Sequence, residues 1–277
     1  MALPAHLTPI DHRAPGFADH WDELPLWSAP FGQAILDRVP LGPRLSYLDV
    51  GAGTGWLSLE LAQRAGPGCT VVAVDPWGEA LQRLEAKARR LGLTNLITHA
   101  AEVTAAPLAP ASTDVVVSCL GVNNFDDPAA ALAACARAAR PGATLLLATN
   151  PVGHMGELYE VLAATLAAEG CADRLPALEA HVRHRGDEAE VRALLEGAGF
   201  AFEGAWHGAF RWRFSGGAAL LRHGFIRIGF LPAWRALVPE DRVAGVFAAL
   251  ERHLDAAAAR TGSLDLTIPT LCVQARR

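Results

Sequence analysis

Short, unbroken apolar runs alternate with helical segments between residues 44 and 150, and this alternation constrains the fold more than any other feature. Strands are predicted at residues 45–50, 70–74, 96–100, 114–119 and 143–149. A strand that lacks polar alternation is covered on both faces, as in a parallel sheet between two layers of helices. The pattern therefore predicts a doubly wound α/β core, with a helix over residues 128–139 before its fifth strand.

Beyond residue 150 the regular alternation of predicted strands and helices ends, and helical patterns predominate. Helices are predicted at residues 157–168, 175–184, 187–196, 218–228 and 242–260. Two further extended segments are predicted at residues 200–214 and 264–275, the first of them rich in aromatic side chains.

Composition excludes several classes of protein. The net charge of −5 and the absence of a basic patch argue against nucleic-acid binding. We interpret the cationic stretches 87–90 and 183–185 as solvated helix faces. No apolar run reaches the roughly 18 residues that span a bilayer, so no membrane partner is expected. The five cysteines are scattered and form no CxxC pair, which favours a reducing cytoplasm. No histidine or cysteine cluster predicts a metal site.

The motif DVGAGTG at residues 49–55, between a predicted strand and a helix, is the main candidate for a cofactor loop. Glycines let the backbone turn sharply and let a ligand approach without a Cβ atom in the way. Dinucleotide enzymes use G-x-G-x-x-G, but here Gly55 lies two positions after Gly53 and Trp56 occupies the third glycine position. Asp75, at the end of the next strand, suits the ribose of either cofactor class. The glycine spacing therefore disfavours a dinucleotide.

LDVGAGTG at residues 48–55 and VVAVD at residues 71–75 resemble the first two motifs of class I S-adenosylmethionine (SAM)-dependent methyltransferases. Three later features match in order, namely HAAE at 99–102, STDVVVS at 112–118 and RPGA at 140–143. The set is similar to the small-molecule branch that includes quinone-biosynthesis methyltransferases. The resemblance covers about residues 45–150 and implies SAM as the cofactor.

The resemblance implies a role for each matching position. Asp49, with the backbone of Gly51, Gly53 and Gly55, would hold the methionine end of SAM, and Asp75 would bind its ribose. The residues that would contact the adenine or lie beside the sulfonium are Pro76, Trp77, Ala101, Glu102, Cys119 and Leu120. For Trp77 and Cys119, ordinary core packing is the alternative.

The same resemblance implies a seven-stranded, mostly parallel sheet that ends in an antiparallel pair, for which residues 200–214 and 264–275 are the candidates. We expect residues 44–150 to form the SAM-binding core and residues 151–277 to complete the same domain. Two helical insertions, at 151–185 and 215–263, would then form a lid with the N-terminal segment 1–43, above the carboxyl ends of the strands.

This lid would supply the pocket for the methyl acceptor. The candidate acceptor-binding residues are Trp27, Asn123, Asn124 and Arg211. His154 and Tyr159 are the candidate catalytic residues, as a base or as groups that orient an acceptor hydroxyl. An asparagine turn at Asn123 and Asn124 and a structural role for His154 and Tyr159 are the alternatives.

The sequence favours a methyltransferase that acts on oxygen, nitrogen or carbon of a small molecule. An NAD(P)-dependent oxidoreductase and a non-catalytic SAM-binding protein remain as alternatives, and the oligomeric state is not predicted. In-line methyl transfer needs little from side chains beyond alignment and the exclusion of water.

Overall fold

A computed structural model describes residues 3–8, 10–11 and 14–277 of the chain. Its strands are β1 (Ser46–Val50), β2 (Thr70–Asp75), β3 (Leu96–Ala100), β4 (Thr113–Cys119), β5 (Ala139–Thr149), β6 (Ala201–Phe214) and β7 (Leu264–Arg276). Its α-helices are α1 (Phe17–Asp22), α2 (Ala29–Leu36), α3 (Trp56–Ala65), α4 (Gly78–Arg90), α5 (Pro128–Ala138), α6 (Gly156–Ala168), α7 (Leu175–Arg183), α8 (Glu188–Gly197), α9 (Gly217–Arg222), α10 (Gly224–Gly229), α11 (Leu231–Ala236) and α12 (Val243–Thr261).

The strands form one seven-stranded sheet in the order β3-β2-β1-β4-β5-β7-β6. The pairs β1–β2, β1–β4, β2–β3 and β4–β5 are parallel, whereas β5 and β7 run antiparallel, with Thr144 opposite Arg276. The predicted mostly parallel, doubly wound sheet is therefore confirmed. Between β1 and β4 the strand order reverses, and in such sheets ligands bind outside the carboxyl ends of the strands at this switch point.

Apolar strands make the centre of the sheet its core. Leu48 in β1, Val116 in β4 and Leu147 in β5 are all at most 1% exposed. On one side these strands share a cluster with Val191 and Leu195 of α8. Strands without a polar face need such helical cover, which explains why the sequence reads as unbroken apolar runs.

The described residues group into two compact units. The helical unit contains the described residues of Met1–Phe17 together with Val152–Arg185 and Ala209–Pro269, and the sheet unit contains Ala18–Pro151, Gly186–Gly208 and Thr270–Arg277. Strands β6 and β7 contribute residues to both units. Within the helical unit, α12 packs against α6 and α9, and Leu158, Leu162 and Leu250 are fully buried there.

Two predicted elements differ from the structure. The single helix predicted over residues 218–228 is wrong, because α9 and α10 are separated by His223, whose backbone is extended at φ −63° and ψ 131°. The His223 ring lies edge-on to Trp212 and Phe214, with centroids 5.2 and 5.5 Å away. These tertiary contacts accompany the break in the helix. Strand β5 begins at Ala139, four residues before the predicted start at residue 143.

The interpretation of residues 183–185 as a solvated helix face is also wrong in part. Arg183 is exposed and forms an ion pair with Glu179 on α7. Arg185 lies beyond the end of this helix and is half-buried, with its guanidinium carbon 5.9 Å from the ring centroid of Phe230.

Candidate active site

The glycine loop joins the carboxyl end of β1 to the start of α3. Gly51, Gly53 and Gly55 have φ angles of +74°, +53° and +82°, a left-handed region that disfavours residues with a Cβ atom. The backbone N–H groups of Gly51 and Ala52 donate to the carbonyl of Val74, at 2.9 and 3.2 Å. The loop is therefore fixed against the end of β2.

Two of these glycines serve different purposes. A Cβ atom on Gly55 would lie 2.2 Å from Cδ1 of Leu84, so this glycine allows α3 and α4 to pack closely. A Cβ atom on Gly53 would have no described atom within 4 Å. Gly53 therefore borders open space, in which a ligand can lie directly against the backbone.

Asp49 is a buried acid at the end of β1, with 1% of its surface exposed. One of its carboxylate oxygens accepts a hydrogen bond from the hydroxyl of Ser58 at 2.5 Å. Burial raises the pKa of Asp49 to about 7, Ser58 opposes this shift, and the charge of Asp75 adds to it. A cation beside Asp49 would restore the charged form of the carboxylate, which is how the site can favour an ammonium group.

Asp75 ties the glycine loop to the end of β2. Its two carboxylate oxygens accept from the backbone N–H groups of Gly53 and Trp77, each at 2.8 Å. Burial raises the pKa of Asp75 and these hydrogen bonds lower it, with a net rise. Each oxygen has a second lone pair, so the carboxylate can still accept from a ligand's hydroxyl groups.

The predicted adenine-binding residues follow β2 and β3. The ring of Trp77 lies edge-on to Trp21, with centroids 6.2 Å apart. Ala101 donates its backbone N–H to the carbonyl of Asp75 at 3.1 Å. Pro76 and Glu102 are exposed beside them. These residues therefore lie at the carboxyl ends of β2 and β3, next to the glycine loop at the carboxyl end of β1.

Cys119 and Leu120 lie where β4 ends, beside β1 in the sheet. Leu120 has a left-handed φ of +63° and donates its N–H to the carbonyl of Ala148 at 2.7 Å. Burial raises the pKa of the Cys119 thiol, and the charges of Asp49 and Cys272 act in the same direction. Cys119 is therefore a neutral thiol and not a nucleophile.

Three of the predicted acceptor residues belong to the sheet unit. Trp27 is 7% exposed and packs against Phe31, with ring centroids 5.7 Å apart. Asn123 donates from its side-chain amide to the side-chain oxygen of Asn150 at 2.8 Å. Asn124 is exposed and donates to the carbonyl of Leu120 at 2.8 Å, which is a local turn contact.

The other predicted residues, His154, Tyr159 and Arg211, belong to the helical unit, whereas all the predicted cofactor residues belong to the sheet unit. His154 is 2% exposed, and burial lowers its pKa to about 2, with Arg185 and His181 acting in the same direction. Such an imidazole is neutral and a weak base at physiological pH.

Tyr159 and Arg211 have different surroundings in that unit. The phenol oxygen of Tyr159 accepts from the indole N–H of Trp234 at 3.3 Å and lies 3.2 Å from Nε2 of His181. Arg211 is exposed and forms an ion pair with Asp265 at 3.5 Å.

Several polar residues at the site are not predicted as site residues by the sequence. The sequence predicts Ser58 only as part of the helix that follows the glycine loop, and its position in the first turn of α3 lets its hydroxyl donate to Asp49. Thr149 ends β5 and Asn150 follows it, both at most 5% exposed, and the hydroxyl of Thr149 has no hydrogen-bond partner among the described residues. Two polar residues closing an apolar strand were the available signal.

Neither a metal-binding cluster nor a membrane-spanning helix is present in the described ranges. No group of three or more His, Cys, Asp or Glu side chains there is arranged to hold a metal ion. No helix in those ranges has both the length and the apolarity to cross a membrane.

Comparison with known proteins supports the sequence argument. A family model described as a methyltransferase domain matches residues 48–147. Nocamycin O-methyltransferase of Saccharothrix syringae is 31% identical over 258 residues, which cover 89% of this chain and 90% of that protein.

Other relatives match a smaller part. An uncharacterized protein of Mycobacterium tuberculosis is 38% identical over 117 residues, so the chain matches 41% of that relative's length and 42% of its own. Ubiquinone biosynthesis O-methyltransferase of Hahella chejuensis is 40% identical over 139 residues, or 49% of this chain and 56% of that protein.

Solved structures share the fold. The crystal structure of a SAM-dependent methyltransferase from Aquifex aeolicus superimposes with a TM-score of 0.53 at 21% identity, and covers 69% of this chain and 91% of that one. Three findings point to methyltransferases: the relative that matches nine-tenths of both chains, the family model over the glycine loop, and the shared sheet. The chain belongs to the class I SAM-dependent methyltransferases, enzymes whose methyl donor is SAM.

Proposed function

We propose that this protein transfers the methyl group of SAM to an oxygen atom of a small molecule. The observation that carries the proposal is the 31% identity to nocamycin O-methyltransferase across nine-tenths of both chains. The ubiquinone biosynthesis O-methyltransferase of Hahella chejuensis supports the same chemistry over a shorter match. A net charge of −5 is in keeping with a small acceptor and not a nucleic acid.

The glycine-loop site fits the amino-acid end of SAM. Asp49 is a buried carboxylate that gains from a neighbouring ammonium group, and Gly53 leaves open space at the backbone. Asp75 retains acceptor capacity for ribose hydroxyls. When bound, SAM supplies a methyl group already activated by the sulfonium, so the residues of the chain need only bind, align and exclude water.

For the acceptor we propose positioning roles. Asn123 is held by Asn150 near the end of β4, and Trp27 supplies an apolar surface within the same unit. His154, with a pKa of about 2, is too weak a base to remove a proton at physiological pH. An acceptor whose hydroxyl is already acidic needs no protein base.

Incorporation of label from methyl-labelled SAM into a cell extract tests the proposal. We expect label in the small-molecule fraction, and none in the protein or nucleic-acid fractions. Release of the label as methanol on mild alkaline hydrolysis would identify an ester oxygen, whereas stable label would indicate an ether or a methylated nitrogen or carbon.

The matched control is a pair of alanine variants. Gly53→Ala adds a Cβ atom at the open face of the loop, whereas Gly92→Ala adds one at another left-handed glycine, with φ +68° and no described atom within 4 Å. We expect loss of label incorporation with Gly53→Ala only. Labelled protein or nucleic acid, or binding of S-adenosylhomocysteine without any transfer, contradicts the proposal.

A further inference from the structure

The helical unit contains a compact group of rings around one guanidinium. We refer to this group as the Arg185 cluster, and its members are His154, Tyr159, His181, Arg185, Phe230 and Trp234. The rings of Phe230 and Trp234 stack at 22°, with centroids 5.9 Å apart, and the His154 centroid lies 5.3 Å from that of Phe230. All six residues belong to the same unit.

The charge of Arg185 lacks a carboxylate partner. An arginine guanidinium stays protonated in proteins, yet no carboxylate of the described ranges forms an ion pair with Arg185. The residues outside those ranges, at positions 1, 2, 9, 12 and 13, have no carboxyl side chain. By contrast Arg235, in the same unit and 10% exposed at its side chain, lies 3.1 Å from a carboxylate oxygen of Glu240.

The surroundings of Arg185 leave its charge uncompensated. Burial lowers the pKa of this guanidinium, and the phenol of Tyr159 offsets that effect only in part. Burial also lowers the pKa of His154 and of His181, and the charge of Arg185 lowers both further, so the imidazoles are neutral. The cluster therefore presents one positive charge, with neutral hydrogen-bonding groups and aromatic faces around it.

A half-buried cation without a counter-ion is unfavourable unless a ligand supplies the negative charge. The planar fork of a guanidinium binds a pair of anionic oxygens better than a point charge does. The stacked rings of Phe230 and Trp234 are 5% and 0% exposed, so their faces are taken up by packing and shield one side of the guanidinium from water. The guanidinium therefore points to an organic anion with a carboxylate group as the ligand class.

We propose that the Arg185 cluster binds an organic anion whose carboxylate group is held by the guanidinium of Arg185. This assigns to Arg185 the role of an anion-binding residue within the helical unit.

Calorimetric titration of the full chain with benzoate, and with benzamide as the neutral analogue of the same shape, tests the site. We expect the wild type to bind benzoate at least about tenfold more tightly than benzamide. Arg185→Gln should weaken benzoate binding at least about tenfold and leave benzamide unchanged. Arg183→Gln, two residues away and exposed in its pair with Glu179, is the matched control and should leave both unchanged.

S-adenosylhomocysteine is titrated into the same proteins, because its binding reports on the glycine loop and should be equal in all of them. Arg185→Lys, which keeps the charge, covers the case in which the glutamine variant does not fold, and it should retain binding of benzoate over benzamide. Equal binding of benzoate and benzamide, or benzoate affinity unaltered by Arg185→Gln, overturns the inference. If the wild type does not bind S-adenosylhomocysteine, the proposed function is overturned and this inference is not.

Discussion

Replacing Asp49 by asparagine tests how the glycine-loop site recognises the ammonium group of its ligand. Asp49 is buried, and in the protein without ligand its pKa is raised to about 7, chiefly by burial. An ammonium ion beside the carboxylate favours its charged form, so binding requires Asp49 to lose its proton first. The affinity for S-adenosylhomocysteine should therefore rise with pH up to the pKa of Asp49.

The size of the effect follows from that pKa. With a pKa of about 7, about 3% of the sites carry the charged carboxylate at about pH 5.5 and about half do so at about pH 7. The ligand's amino group stays protonated over this range, since the pKa of an α-amino group is about 8. We therefore expect about a fifteenfold gain in affinity between these two pH values.

Calorimetry in two buffers of different ionisation enthalpy measures both affinity and proton release. Near pH 5.5 we expect about one proton released per ligand bound by the wild type. Asp49→Asn should bind weakly, without pH dependence over this range. An affinity of the wild type that does not change with pH, or the same slope in Asp49→Asn, would refute the role of Asp49.

Protonation of Asp49 also affects the stability of the ligand-free protein, and this effect changes with pH in the opposite direction to the ligand affinity. Because the folded pKa of Asp49 lies above its ordinary value of 3.8, the folded protein binds more protons than the unfolded chain between about pH 4 and pH 7. The contribution of Asp49 to the free energy of unfolding should therefore fall as the pH rises through this window. Urea denaturation of the ligand-free wild type and of Asp49→Asn checks this difference.

Three further results are expected. Gly55→Ala should lower the melting temperature more than Gly53→Ala does, because the new Cβ would overlap Leu84. Gly53→Ala should lose S-adenosylhomocysteine binding and cost only about 1–2 kcal/mol in stability, as should Gly92→Ala. A larger drop in melting temperature for Gly53→Ala than for Gly55→Ala contradicts the two roles. Asp22→Asn should cost about 1 kcal/mol by urea denaturation, since Asp22 pairs with Lys87 at 2.5 Å and Arg83 at 2.9 Å. Burial raises the pKa of Asp22, but the hydrogen bonds from these partners outweigh that effect, so the pKa is lowered overall. The contribution of Asp22 to stability should therefore be present above about pH 4 and vanish at lower pH. A cost of Asp22→Asn that does not change with pH contradicts this expectation. The ring signals of His154 should stay constant in NMR spectra between about pH 5 and pH 8, since its pKa is about 2, and an inflection near its ordinary value would contradict the burial.

The sheet and the glycine loop could be predicted because their signals are local. The unbroken apolar runs and the spacing of Gly51, Gly53 and Gly55 reflect burial and backbone conformation at the positions themselves. The sheet topology then brings the ends of the strands together, so that Asp49 and Asp75 share one edge.

The remaining features depend on contacts between residues distant in sequence. The break between α9 and α10 occurs at His223, whose ring contacts Trp212 and Phe214 of β6. The local helical pattern does not predict this break. Arg185 lies in a charged stretch that reads as solvent-exposed, although Phe230 from another segment covers its guanidinium. Neither partner could be identified from the residues near it in the sequence.

Calorimetric titration of the wild type with S-adenosylhomocysteine, and separately with NADH, tests most directly whether the alternate glycines hold the product of a methyl donor. We predict one S-adenosylhomocysteine bound per chain, no heat with NADH, and loss of the first signal in Gly53→Ala but not in Gly92→Ala. Binding of NADH without any response to S-adenosylhomocysteine would contradict the account.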